Sequence, residues 1–336
     1  MIISVFRHTI AERTEAVWRT IAEFDMCFWE CFETFFYRSH TNVHLNKTLQ
    51  KSKKIRIFGK ATCKLLQSQV DDIETYIQTA MKKHIADFTI VDKKNHGQHY
   101  FTLRLQSSEP LPEILPGQFV EVEVPDNKEV FLRRPISIHD VDYNDRTISL
   151  LVQIVGKGTA TLSKLDTGRT LNLVFPLGNG FSLLGDKPLL VGGGAGLAPL
   201  LYTARKYSEK GIRPTVLLGG RTAELIPVKD EFQPYGEVFF ATEDGSLGEK
   251  GLVTQHSAFG KSYDSILTCG PTPMMKAVAR HALQNGIRCQ VSLENTMACG
   301  VGACLCCVTK TDHGHRCVCK DGPVFDANDM KEWAES

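Results

Sequence analysis

Six of the chain's 11 cysteines fall between residues 299 and 319. They run Cys299-x4-Cys304-x2-Cys307, with eleven residues between Cys307 and Cys319. C-x4-C-x2-C…C is the ligand spacing of a plant-type [2Fe–2S] cluster, in which each iron takes two thiolates. Gly300 and Gly302 let such a loop turn tightly with its N–H groups facing inward. Cys306 and Cys317 are left over. Neighbouring side chains point apart, so Cys306 and Cys307 are not expected to serve one cluster. Cys317 competes with Cys319 for the fourth place, and spacing alone does not decide between them. A zinc knot needs two C-x2-C pairs or their Cys/His equivalents. Only one such pair exists, and His313 and His315 do not stand in the order a Rieske centre needs, so the iron–sulfur reading is preferred.

Two further stretches could hold phosphates and rings. LRRPISI (132–138) puts Arg134 and Ser137 near one end of an expected strand. A guanidinium fork there suits a flavin pyrophosphate, and a hydroxyl three residues on can reach ring or phosphate. The next strand runs into Gly156, Gly158 and Thr159, before a short helix expected near Thr161; a glycine turn at a helix start offers free N–H groups. LLVGGGAGLAP (189–199) reads as strand, glycine turn and helix start. It departs from G-x-G-x-x-G because Leu197 occupies the third glycine's place. ILTCGPTPMM (266–275) repeats strand, sharp turn and helix, which places Cys269 and Gly270 at the carboxyl end of a parallel strand, where open α/β sheets bind ligands. The plain alternative for Cys269 is a small buried core residue.

These motifs need elements to carry them. From His84 onward, short alternating or β-branched runs (HIADFTIVDKK, HYFTLRLQ, QFVEVEVP, RPISIHDV, TISLLVQIV) predict an antiparallel barrel or sandwich. From Lys187, strands alternate with helices, which predicts a parallel sheet with crossover helices. The fold class is therefore multi-domain, α+β and α/β. The expected partition is a flavin-binding barrel over 84–184, a nucleotide-binding α/β domain over 185–288 and a cluster-binding segment over 289–336. Residues 1–80 contain no proline and one glycine, Gly59, and read either as a helical appendage or as translated upstream sequence preceding a start at Met81. A length of 336 residues fits several domains, and a net charge of +1 gives no electrostatic footprint for nucleic acid or anionic membrane. No secretory signal or membrane-spanning run is visible, so a reducing, cytoplasmic setting is expected, which favours metal-bound cysteines over disulfides.

The order Arg134–Ser137, GKGT, VGGGAGLAP, CGPTPMM resembles the ferredoxin–NADP reductase superfamily. With PLGNGF, ATEDGSLGEKGLVT and MACGVGAC…VCKDGPVF added, residues 84–326 closely resemble its family of dihydroorotate dehydrogenase B electron transfer subunits. The resemblance implies that Cys299, Cys304, Cys307 and Cys319 hold a [2Fe–2S] cluster. It implies FAD contacts at Arg134, Pro135, Ile136, Ser137, Leu151, Val152, Gln153, Gly158 and Thr159. It places NAD, as substrate, along Gly192, Gly193, Gly194, Gly196, Gly270 and Pro271, with Cys269 beside the nicotinamide and no acid–base pair. It further implies a partner, an FMN-containing catalytic subunit that oxidises dihydroorotate, with two copies of each subunit in a heterotetramer. Electrons would pass from that partner through the cluster and FAD to NAD+, in pyrimidine synthesis. Cys306 and Cys317 depart from the pattern, and Arg221 could meet the 2′-phosphate of NADP. A sister reductase serving a hydrogenase or sulfur reductase, and a zinc-stabilised interaction module, are the rival readings.

Overall fold

In strand β2 (Tyr100–Ser107), Phe101, Leu103 and Leu105 are wholly buried while the residues between them are partly open. That alternation aims one face of every barrel strand inward. The computed structural model describes residues 83–336, which lie in one compact unit; the expectations for 1–80 and for a start at Met81 fall outside the described residues. Strands β1 (His84–His96), β2, β3 (Phe119–Val122), β4 (Arg134–Asp142), β5 (Thr147–Gln153) and β6 (Thr170–Leu177) close into a barrel in the order β1-β2-β5-β4-β3-β6. Every pair is antiparallel. Closure leaves no open sheet edge.

Helix α1 (Lys157–Leu162) crosses between β5 and β6. It begins four residues before the expected Thr161. The cause is local: Gly156 is extended, and the Thr159 hydroxyl accepts from the Val155 and Gly156 N–H groups at 3.0 and 3.3 Å. This side chain–backbone bonding closes the helix start earlier than the hydrophobic pattern suggests.

The second lobe is a seven-stranded sheet in the order β10-β9-β8-β7-β11-β12-β15. Its members are β7 (Pro188–Gly193), β8 (Thr215–Gly220), β9 (Glu237–Thr242), β10 (Glu249–Lys250), β11 (Ser265–Cys269), β12 (Arg288–Ser292) and β15 (Val324–Asp326). All pairs are parallel except β12 with β15. Helices α2 (Ala198–Glu209) and α3 (Thr272–Gln284) follow β7 and β11 as the expected crossovers. The cysteine segment is sewn into this sheet. Its loop, the hairpin β13 (Val308–Thr311) and β14 (Gly314–Cys317), and helix α4 (Val318–Asp321) all lie between β12 and β15 in sequence; helix α5 (Lys331–Glu335) follows.

Polar contacts clamp the lobes together. His139 Nδ1 lies 3.0 Å from the Ala198 carbonyl, and the Tyr202 hydroxyl donates to Ile114 at 3.2 Å. Arg205 on α2 pairs with Asp140 on β4 at 3.0 Å and donates to the Val141 carbonyl.

Candidate cofactor sites

The cysteine loop is built by residues that take left-handed backbone angles. Gly300, Leu305 and Gly302 have φ of +65°, +59° and +80°, conformations that cost a side chain energy and that glycine adopts freely. The turn brings sulfurs and N–H groups together. Val301 and Cys304 N–H groups point at Cys299 Sγ at 3.4 and 3.5 Å. Gly302 N–H points at Cys319 Sγ at 3.1 Å, and Cys319 N–H at Cys307 Sγ at 3.4 Å. These N–H groups reach the sulfurs of Cys299, Cys307 and Cys319, and Cys304 joins the set through its own N–H. Burial opposes ionisation of Cys299, yet the donors from Val301, Cys304 and Ala303 outweigh it and bring its thiol down to about 6. Cys319 is wholly buried, and burial with the neighbouring Cys307 pushes it up to about 12.

The two supernumerary cysteines are placed differently. Cys306 is exposed at the surface. Cys317 turns its Sγ toward the Gly302 carbonyl, 3.9 Å away. A sulfur ligand is favoured by a facing N–H and disfavoured by a facing carbonyl, and of the two only Cys319 Sγ has a facing N–H, which works against the burial that raises its thiol. Among the described residues, no three His, Cys, Asp or Glu side chains converge as ligands of one ion. A two-iron cluster takes two protein thiolates per iron, and four cysteines in the C-x4-C-x2-C…C order match that donor set.

On the barrel, β4 and β5 pair only from Ile138–Leu150 to Asp142–Thr147. Beyond that point Arg134–Ser137 remain bonded to β3 and Leu151–Gln153 to β2, but not to each other. The parted strands leave main-chain groups facing a gap. Val152 packs into the barrel core, Leu151 into the core shared with the second lobe, and Ile136 is buried, so these three can offer a ring only their backbones. Arg134 lies across α1: a Cβ on Gly158 would stand 2.4 Å from Arg134 Nε. The guanidinium is thereby held over the first turn of α1, beside its free N–H groups. Thr159 spends its hydroxyl on capping that turn. Pro135 and Ser137 are half-buried on the rim. A cation, helix-start amides and a strand gap are together suited to a flavin and its pyrophosphate.

A cavity of about 530 Å³ runs along the carboxyl ends of the parallel strands. Gly193 and Gly194, Gly219–Arg221, Ala241 and Gly270–Pro271 line it, and Tyr100 and Gln153 from the barrel close one side. The glycines divide by task. Gly193 and Gly194 face the cavity, whereas a Cβ on Gly192 would strike Leu200 at 2.7 Å and one on Gly196 the Cys269 carbonyl at 2.3 Å. Gly192 and Gly196 thus permit close packing of turn, helix and strand. Cys269 is buried behind this wall, its Sγ 3.8 Å from Glu294 Oε1, and burial pushes its thiol well up. Glu294 and Tyr100, which sequence reasoning missed, both reach the cavity. Solvent touches Glu294 through the cavity mouth, but the enclosing protein raises its carboxyl pKa. Each is a single residue with no motif around it; only position at a strand end could have signalled either. A separate recess of about 490 Å³ between residues 94–99 and 223–231 includes no cysteine.

Between the barrel and the cysteine loop sits a further residue the sequence did not single out. Glu121 on β3 is 1% exposed, and neither carboxylate oxygen has a hydrogen-bond partner. A Cβ on Gly300 would lie 2.8 Å from its Cγ.

The chain was compared with known proteins. Residues 294–331 match the family model of the iron-sulfur cluster binding domain of dihydroorotate dehydrogenase B. A relative from Fusobacterium nucleatum, the electron transfer subunit of dihydroorotate dehydrogenase B (NAD(+)), is 34% identical over 258 residues, covering 74% of this chain and 98% of its own. The subunit of the same name from Caldanaerobacter subterraneus is 41% identical over 222 residues, 64% of this chain and 86% of its own. Among solved structures, an NADH-dependent reduced ferredoxin-NADP oxidoreductase superposes with a TM-score of 0.66 at 30% identity, over 74% of this chain and 93% of its own.

Proposed function

The chain belongs to the family of electron transfer subunits of dihydroorotate dehydrogenase B, and from that premise we propose that it carries FAD and a [2Fe–2S] cluster and passes electrons from dihydroorotate oxidation to NAD+. Cys299, Cys304, Cys307 and Cys319 hold the cluster. Arg134–Ser137, Leu151–Gln153, Gly158 and Thr159 hold FAD, and the strand-end cavity with Gly193, Gly194, Gly270 and Pro271 receives the nicotinamide nucleotide. The barrel (84–184), the α/β domain (185–288, its sheet completed by β12 and β15 from the expected cluster segment 289–336) and the cysteine loop between those two strands divide these tasks. When bound, the cluster supplies one-electron chemistry and the flavin both one- and two-electron chemistry, which joins a single-electron donor to a nicotinamide that takes two.

The chain's own residues position and insulate. N–H groups from Val301, Gly302 and Cys304 face sulfur and favour the more reduced charge state there. Gly193 and Gly194 leave the turn bare for close approach by phosphates. Cys269, buried and with a raised pKa, packs behind the nicotinamide pocket rather than acting as a nucleophile. Cys304 is exposed, and Val301 and Leu305 beside it are 39% and 64% exposed. This apolar rim around the cluster loop supports entry of electrons from a docked catalytic subunit. That subunit carries FMN, and the assembly holds two of each chain in the cytoplasm; among the described residues no helix is long and apolar enough to cross a membrane.

The observation that carries the reading is the N–H···S web on Cys299, Cys307 and Cys319, which the Cys304 N–H joins, in a loop packed against the barrel strand that pairs with Arg134–Ser137. Replacing Cys304 by Ser removes the iron–sulfur absorbance and lowers iron content, while flavin stays bound. Unchanged iron and sulfide in that variant would refute the ligand set. Co-purification with an FMN protein that oxidises dihydroorotate, and the mass of the complex, test the partner and its stoichiometry; a nickel–iron partner would favour the sister-reductase reading.

A further inference from the structure

The strand-end cavity is graded in charge along its length. It follows β11, β7, β8 and β9 in spatial order, three strand spacings or about 14 Å. At the inner end stand Gly270, Glu294 and Tyr100. At its middle is the glycine turn, where a Cβ on Gly194 would lie 3.6 Å from the Tyr100 hydroxyl. At the outer end are Arg221 and Glu243, flanked by Leu225 and Leu252.

The backbone fixes Arg221 and Glu243 side by side. Gly220 pairs with Thr242 in the parallel ladder. Glu243 N–H then donates to the Gly220 carbonyl at 3.2 Å, and Asp244 N–H to the Arg221 carbonyl at 3.2 Å. Arg221 and Glu243 each lie one residue past the end of that ladder, and both line the cavity. Neither side chain has a hydrogen bond or ion pair with any described residue, so both are available to a ligand. Burial and the Glu294 carboxylate push the Tyr100 phenol up, and the Arg221 cation pulls against them, so Arg221 acts electrostatically on the tyrosine beside the glycine turn. Glu243 lines the outer end together with Leu252, which is 54% exposed.

Resting on the dinucleotide reading of this cavity, we propose that Glu243 selects NAD over NADP by accepting the 2′-hydroxyl of the adenosine ribose, with Arg221 serving the pyrophosphate. An ionised carboxylate only accepts, which suits a ribose diol that donates. The same carboxylate repels the doubly charged 2′-phosphate that NADP would put in its place. Leu225 and Leu252 give the adenine apolar walls.

The test uses two nicotinamide-free fragments, ADP-ribose and 2′-phospho-ADP-ribose, so that binding is read without electron transfer. Calorimetry on flavin- and cluster-loaded protein compares wild type, Glu243→Gln and Arg221→Ala, with the flavin spectrum and melting temperature reporting folding. Wild type is expected to prefer ADP-ribose. Glu243→Gln shifts the preference ratio toward the phosphorylated fragment by about tenfold or more, and Arg221→Ala weakens both fragments alike. An unchanged ratio in Glu243→Gln overturns the proposal, as does selective loss of the phosphorylated fragment in Arg221→Ala. Wild-type protein that binds neither fragment overturns the cavity reading and the proposal with it.

Discussion

Glu121 shows what a single carboxyl costs when its surroundings are built for something else. Its carboxylate is buried with no hydrogen-bond partner, and burial pushes it up from 4.5 to about 7 against the opposing pull of Arg133 and Arg134. Below pH 4.5 the group is neutral in both folded and unfolded chains and costs nothing. Between that pH and about 7 the unfolded chain loses its proton first, so the folded state is progressively disfavoured, by about 3 kcal/mol once both are ionised. Glu121→Gln, which keeps the shape without the charge, is therefore expected to melt higher than wild type at pH 8. The difference should close by pH 4.5, and equal melting curves at pH 8 would contradict it. Legibility at this scale follows from company. The cysteines announced themselves because their spacing is a pattern, as did Arg134 and the strand-end glycines. Glu121, Tyr100 and Glu294 stand alone in sequence, and only folding gives them neighbours. Spacing left Cys317 and Cys319 as equals; the difference lies in whether a carbonyl or an N–H faces the sulfur.

Among the elements, α1 does the most with the fewest residues. Its six residues carry Gly158 under Arg134, so the helix start and the β4 guanidinium meet only because that position lacks a Cβ. Gly158→Ala should fold, since alanine favours a helix by up to about 1 kcal/mol over glycine. It must also push the Arg134 side chain aside. FAD retention is expected to fall about tenfold or more, the scale of one hydrogen bond to a charged group; full flavin occupancy after dialysis would show that Arg134 does not hold the pyrophosphate. The barrel strands up to β5 were readable because alternation is strong over their length. Strand β6 was not, because TLNLVFPL alternates only over Thr170–Leu173 and then runs apolar through Val174–Leu177, which breaks the period midway. Strands β12 and β15, of five and three residues, were hidden for a different reason. Segments so short have no periodicity of their own, and their pairing is decided by the sheet they join.

At the level of the whole molecule, the relation between the lobes decides whether flavin and nicotinamide sites face each other. Arg205 ties helix α2 to barrel strand β4, and α2 begins directly after the glycine turn of the nucleotide cavity. Asp140 is half-buried, and burial raises its pKa despite the arginine beside it. Arg205→Ala leaves that carboxylate unpaired and should cost about 2 kcal/mol. Loss of the clamp should weaken NADH binding while leaving FAD in the barrel. Calorimetric binding and a thermal melt check this, and unaltered NADH affinity would mean the lobes are held by their apolar contacts alone. The cysteine loop, meanwhile, is inserted between two strands of the nucleotide-binding sheet. Strand β15 returns antiparallel against β12, so Val291 lies opposite Phe325 and the backbone of β12 is covered on its outer side. Cutting the iron-binding part away would strip that cover and leave a raw ladder able to recruit a strand from another molecule. The module cannot be unplugged from one reductase and grafted onto a second without its flanking strands, and a truncated protein should precipitate rather than survive as a smaller flavoenzyme.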